Sequence, residues 1–256
     1  MLNSRRPWFA RRSHCRRTAL ALCAIAALLF GNAKPVHAQS ASYHLPKTPN
    51  APELLIFPPR NASAPRPVVV MLHGMCDTPE NECPRLADAL AEKAWLVCPR
   101  DNLTCNSGGA SWSFSRRTRV AEQALSALRE LHPREIDDAA GHTLAGFSLG
   151  AFAAVDASNQ GAGSFRYLML IGAKVQPSAV QLQQAGIHSV ILMAGEWDMT
   201  FAHMNRQALW LTRQGIPSRF IGLGPVGHTF PSDINRRLRN ALDFFSSPEY
   251  GKTSVL

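Results

Sequence analysis

Past Arg66 the chain repeatedly alternates short apolar runs with stretches of helical spacing, and this alternation limits the fold more than any other feature. "RPVVVMLHG" (Arg66–Gly74), "WLVCP" (Trp95–Pro99) and "HTLAGFS" (His142–Ser148) are strands, followed by "YLMLIGA" (Tyr167–Ala173), "SVILMAG" (Ser189–Gly195) and "SRFIGLG" (Ser218–Gly224). Runs that are apolar at every position belong to strands buried on both faces. Between them, helical spacing covers Leu86–Ala94, Arg117–Leu131, Leu149–Ser158, Ser178–Ala185, Phe201–Gln214 and Ile234–Phe245. Glu53–Phe57 adds a short edge strand. The pattern predicts the α/β class: a three-layer, doubly wound, mostly parallel sheet in one domain over 53–256. Few residues separate Ala173 from Pro177, where related architectures insert a lid, so no large cap domain is expected. In such sheets ligands bind beyond the carboxyl ends of the strands.

The first 38 residues are built differently. They carry seven basic residues and no acid, then an apolar run "TALALCAIAALLF" (Thr18–Phe30), then Val36-His37-Ala38. A basic start, a short apolar stretch and an A-x-A-like end read as a signal peptide cut after Ala38. The apolar run is shorter than the ~20 residues a membrane span needs, so no stable membrane anchor is expected after cleavage. "SRRPWF" (Ser4–Phe9) also resembles a twin-arginine export signal. Residues 39–52, polar and proline-rich, read as a leader. Localisation is then secreted or periplasmic. Removing the signal leaves 20 basic against 18 acidic residues, so the overall charge of +9 gives no ground for nucleic-acid binding.

Four of the six cysteines remain in the mature chain: Cys76, Cys83, Cys98 and Cys105. An even count in an exported domain points to two disulfides. Three pairings are open. The local ones, Cys76 with Cys83 and Cys98 with Cys105, are favoured because each closes a short loop. No Cys-x-x-Cys pattern suggests zinc, and neither a metal nor a cofactor is expected.

"LAGFSLGA" places Ser148 between Gly146 and Gly150 at a strand-to-helix turn. Gly-x-Ser-x-Gly alone is weak, turning up by chance in about one chain in ten of this length. A serine hydroxyl needs a base, and the base an orienting acid. Asp198 follows the strand ending at Gly195, and His228 follows the one ending at Gly224, giving the chain order Ser, acid, His. This reading makes Ser148 the nucleophile, His228 the general base and Asp198 its partner. Glu196 is a nearby alternative acid, while His73 and His203 suit structural or surface positions. The amide of Leu149, opening the helix, is one candidate oxyanion donor.

Taken together, "VVVMLHGMCD", "LAGFSLGA", "GEWDMTF" and "GPVGHTF" resemble the alpha/beta-hydrolase superfamily over nearly the whole mature chain. The likeness is to its small cap-free branch of dienelactone-hydrolase-like and carboxylesterase-like proteins. The resemblance implies that Met75, after "LHG", gives the second oxyanion amide. Serine at the elbow implies ester hydrolysis through an acyl-enzyme, on a small-molecule or polymer-end ester. Gly108, Gly109 and Trp112 are candidates for one wall of the substrate site, and Trp197 and Met199 for the other. Two alternatives are a prolyl-oligopeptidase-like peptidase and a hydrolase-like binding protein without turnover.

Overall fold

The computed structural model describes residues 41–246 except 62, 101–102, 107, 114–116 and 160–162. The expected signal peptide, its cleavage point after Ala38 and the twin-arginine motif lie outside the described residues. The described residues form the strands β1 (Tyr43–Leu45), β2 (Glu53–Phe57), β3 (Val68–Leu72), β4 (Trp95–Arg100), β5 (Leu103–Thr104), β6 (Ala110–Ser111), β7 (His142–Phe147), β8 (Phe165–Ile171), β9 (Ser189–Ala194) and β10 (Ser218–Gly222). The helices among them are α1 (Pro79–Lys93), α2 (Val120–Leu131), α3 (Leu149–Asn159), α4 (Ala179–Gln184), α5 (Phe201–Arg213) and α6 (Ile234–Phe245).

Eight strands form one sheet in the order β1-β2-β4-β3-β7-β8-β9-β10. All neighbours from β4 through β10 are parallel; only the β1–β2 and β2–β4 pairs are antiparallel, so β2 alone runs against the others. Alternate residues of the central strands feed two separate cores. Val68, Val70 and Leu72 join Leu144, Leu168, Leu170, Val190 and Leu192 on the face covered by α2, α3, α4 and α5. Val69 and Met71 join Ala145, Met169, Ile171, Ile191 and Met193 beneath α1 and α6. This two-sided burial is why the strand sequences show no polar alternation.

Two boundaries differ from the sequence reading. Tyr43–Leu45, assigned to the leader, forms an extra antiparallel strand, so Glu53–Phe57 is not the edge. Helix α1 begins at Pro79 rather than Leu86, because Thr78 caps it through the Asn81 amide and a proline suits the first helical position. Residues 172–178 alone connect β8 to α4, and no large cap stands over the carboxyl edge among the described residues.

The disulfides pair Cys76 with Cys105 and Cys83 with Cys98, which overturns the local pairing. Cys83 lies on the buried face of α1, which packs across β4, so its sulfur meets Cys98 in the core. Cys76 instead sits in the turn after β3, beside the small β5–β6 hairpin that carries Cys105. Short separation in sequence does not bring together side chains that point into different layers.

Candidate active site

Ser148 leaves the end of β7 with a φ of 52°, in the left-handed region that non-glycine residues seldom adopt. Its amide donates to Ile171 O at 2.8 Å, holding the turn against β8. The flanking glycines are required by close approach. A Cβ on Gly146 would lie 2.2 Å from Gly150 O, and one on Gly150 would lie 2.0 Å from Leu72 O. Small residues continue along α3, where Ala151, Ala153, Ala154 and Ala157 are buried, so the helix seats closely on the sheet. Its first amides, Leu149 among them, have no carbonyl one turn back to bond.

The structure brings Ser148, His228 and Asp198 into one hydrogen-bonded line. Ser148 Oγ is 2.9 Å from His228 Nε2, and His228 Nδ1 is 2.7 Å from Asp198 Oδ2. Asp198 Oδ1 accepts the Thr200 amide at 2.8 Å. Burial would raise the Asp198 carboxyl, but the Thr200 amide and His228 outweigh it and hold the group below its ordinary range. An ionised Asp198 fixes the Nδ1–H tautomer and leaves Nε2 as acceptor toward the serine hydroxyl. The imidazole stacks on Phe147 with ring centroids 4.8 Å apart. Gly195 permits the Asp198 loop to approach, since a Cβ there would lie 2.1 Å from Val226 O. Glu196, the alternative acid, is exposed.

The turn after β3 lies beside the serine: a Cβ on Gly74 would be 3.5 Å from Ser148 Cβ. The Gly74 carbonyl is gripped by His73 Nδ1 at 2.8 Å and by the Asp77 amide at 3.3 Å. The next residue, Met75, is 66% exposed, and Cys76 has a φ of 59°. His73 is structural, as its position suggested. His203 reaches Val175 O and takes no part in the line.

Trp112 is packed against the turn after β3. It is buried, its ring centroid lies 4.4 Å from that of His73, and its indole N–H donates to His73 O at 2.6 Å. Gly109 likewise packs on the turn, where a Cβ would lie 2.0 Å from Cys76 O. Trp197 and Met199, by contrast, flank Asp198 at 73% and 86% exposure. Sequence reasoning missed Glu82, a fully buried carboxyl whose Oε1 accepts the Gly74 amide at 2.8 Å.

One set of side chains among the described residues has metal-ligand spacing: His44, Glu53 and Glu80. Arg100 forms ion pairs with both glutamates there and supplies the positive charge itself. A cavity of about 660 Å³, lined by Val68, Thr143, Tyr167, Ser189 and Phe245, opens at the amino ends of the strands, remote from Ser148.

No family model matches the chain, and no curated protein matches it either. Solved structures do. The fluorophosphonate-binding serine hydrolase FphF of Staphylococcus aureus superposes with a TM-score of 0.58 at 12% identity, covering 81% of this chain and 98% of that one. An esterase of Pyrobaculum calidifontis gives 0.57 at 16% identity, with 89% of each chain covered. Esterase PE8 gives 0.54 at 22% identity, with 73% and 96% covered. At these identities a likeness establishes architecture, and the chain has the alpha/beta-hydrolase fold.

Proposed function

We propose that the protein is an exported serine hydrolase that cleaves carboxylic esters through an acyl-enzyme. The observation that carries this reading is the line Ser148–His228–Asp198, at 2.9 and 2.7 Å, on an alpha/beta-hydrolase fold. Ser148 Oγ attacks the ester carbonyl while His228 Nε2 takes its proton. The amides of Leu149 and Met75 receive the developing oxyanion. His228 then protonates the departing alcohol, and a water molecule, deprotonated by the same nitrogen, releases the acid. Asp198 stays ionised and steadies the imidazolium. The structural neighbours named as esterases support the same chemistry.

The substrate enters from an open rim. Met75, Trp197 and Met199 are large, apolar and exposed on loops that bear the proposed catalytic groups. They favour an ester with an apolar acyl or aryl part, or the accessible end of a polyester, over a deeply enclosed ligand. Export rests on the basic and apolar start of the chain and on the two disulfides, which persist in oxidising compartments. No described helix is long and apolar enough to cross a membrane.

The test uses the protein from residue 39 onward and its Ser148→Ala variant, with a fluorophosphonate probe and short p-nitrophenyl esters. Labelling and turnover by the wild type, both lost in the variant, are expected. A wild type that neither labels nor hydrolyses would sink the enzyme reading, leaving a binding protein. Peptide cleavage without ester turnover would move the site to a peptidase.

A further inference from the structure

Glu82 sits in the first turn of α1, 2% exposed, in a position where a carboxyl is costly to bury. One oxygen, Oε1, accepts the Gly74 amide at 2.8 Å and would lie 3.1 Å from a Cβ on that glycine. Asp77, the residue that closes the same turn, lies near enough for its charge to push the Glu82 carboxyl up further. Asp77 itself accepts the Thr78 amide at 2.8 Å and the Asn81 side chain at 2.7 Å, both on Oδ1, and these outweigh its partial burial and hold it below its ordinary range. The better-solvated, better-bonded Asp77 is therefore the carboxylate, and the buried Glu82 the neutral acid.

The geometry points to Glu82 as the positioning residue of the oxyanion turn: buried beneath it, the side chain ties the Gly74 amide with Oε1. This inference rests on the proposed reading of Met75 as an oxyanion donor. Because Glu82 occupies the Gly74 N–H, the next amide of the turn is that of Met75. That amide belongs to the same peptide as the Gly74 carbonyl, which His73 Nδ1 and the Asp77 amide hold. In a trans peptide the two point in opposite directions, so fixing the carbonyl fixes the N–H. Glu82 thus fixes one side of Gly74, while His73 and the Asp77 amide fix the other.

The proton is held firmly enough to matter at working pH. Burial drives the Glu82 carboxyl up to about 9; the Gly74 amide opposes that rise, and Asp77 adds to it. The other charged or titratable groups facing this pair are few. Arg85, one turn further along α1, acts on Glu82 and donates to Phe230 O. His73, at the end of β3, acts on Asp77. Losing the proton would set a buried anion beside the Asp77 carboxylate beneath the turn.

The experiment compares Glu82→Gln and Glu82→Leu with the wild type, scoring kcat and KM per fluorophosphonate-titrated site from pH 6 to 10. Glutamine has the shape and the donor–acceptor pattern of a neutral acid; leucine has neither. Expected are a fall of about 10²-fold in kcat for Glu82→Leu with KM little changed, and recovery of most of it in Glu82→Gln. The wild-type loss of kcat above about pH 9 is expected to flatten in Glu82→Gln. Equal kcat in Glu82→Leu and the wild type, or an alkaline limb unchanged in Glu82→Gln, would overturn the inference. Thermal melts, with end-point titration of sites, separate misfolding from mispositioning. A wild type that hydrolyses no ester overturns the proposed function first, and is recognised before any variant is compared.

Discussion

Gly150→Ala sets two backbone effects against each other, and the structure decides between them. Gly150 lies inside α3, where alanine is intrinsically better than glycine by about 1 kcal/mol. On propensity alone the substitution should stabilise the protein. The added methyl would, however, stand 2.0 Å from Leu72 O and 2.6 Å from His73 O. Both are main-chain atoms of the central sheet and its exit, so no rotamer change relieves the overlap. Restoring an ordinary carbon–oxygen contact of about 3.5 Å needs α3 to move by more than an ångström. Overpacking a close-packed core costs about 1–3 kcal/mol even where side chains can yield. Here only backbone can, so the upper end applies and exceeds the propensity gain. We expect a net loss of about 2 kcal/mol and, at 2–4 °C per kcal/mol for a domain of this size, a Tm lower by about 4–8 °C. Because α3 carries Ser148 and Leu149 at its start, kcat should fall further than stability does. The control is Gly227→Ala, whose Cβ would meet nothing within 4 Å. Urea melts and ester turnover on both variants make the assay. A Gly150→Ala protein as stable and as active as the wild type would refute the close-approach reasoning.

Asp198→Asn should cut kcat by about 10⁴-fold, because the wrong imidazole tautomer faces Ser148, while Tm changes little; stopped esterase assays and melts check both. Glu82 has its folded-state proton affinity raised, so its contribution to stability is full below about pH 4.5 and is lost as pH climbs toward about 9. The wild type should therefore lose up to about 1.4 kcal/mol per pH unit across that window, and Glu82→Gln should show a flatter Tm–pH curve. Cys76 is exposed, whereas Cys83 and Cys98 are fully buried, so mild reductant should open the Cys76–Cys105 bridge first. Non-reducing peptide mass spectrometry after timed reduction reads the order, and ester turnover should fall before the far-ultraviolet spectrum changes. Replacing Cys83 and Cys98 together with serine should instead cost about 3 kcal/mol from a closed loop of this length, read by urea melts.

The parts of the fold legible in sequence are those set by local repetition. Val68–Leu72 and Ser189–Ala194 read as central strands because both faces are buried, and a continuous apolar run has no other common home in a soluble domain. The proposed triad was legible for a related reason: its members sit at strand ends, which the glycines Gly74, Gly146, Gly195 and Gly224 punctuate. The start of α1 was not legible, because Glu80, Asn81, Glu82 and Pro84 carry no apolar spacing. Its first buried residues include Glu82 and Cys83, whose burial answers to partners elsewhere in the chain. The bracing contact of Trp112 was not legible either, for the opposite reason. An indole near a site suits a ligand wall or a brace equally, and the His73 carbonyl that selects the brace is 39 positions away.

The features that escaped the sequence converge on one element, the turn from Gly74 to Asp77. Four residues from outside the turn grip it: Glu82 from α1, Cys105 and Ala110 from the β5–β6 hairpin, and Trp112 just beyond, through the His73 carbonyl. Cys76, at a φ of 59°, needs such support, since a left-handed non-glycine residue is unfavourable unless its surroundings over-determine it. Ser148 carries the same kind of strain at a φ of 52°, balanced by the Ile171 carbonyl and the Gly146–Gly150 contact. The two strained residues stand in the turns that follow adjacent strands, β3 and β7, and each neighbours one proposed oxyanion amide, Met75 or Leu149. Donors preorganised for a transition state cannot relax onto each other in the resting protein. The conformational cost of holding them falls on the backbone around them, and the disulfide, the buried acid and the buried indole are what keep that backbone in place.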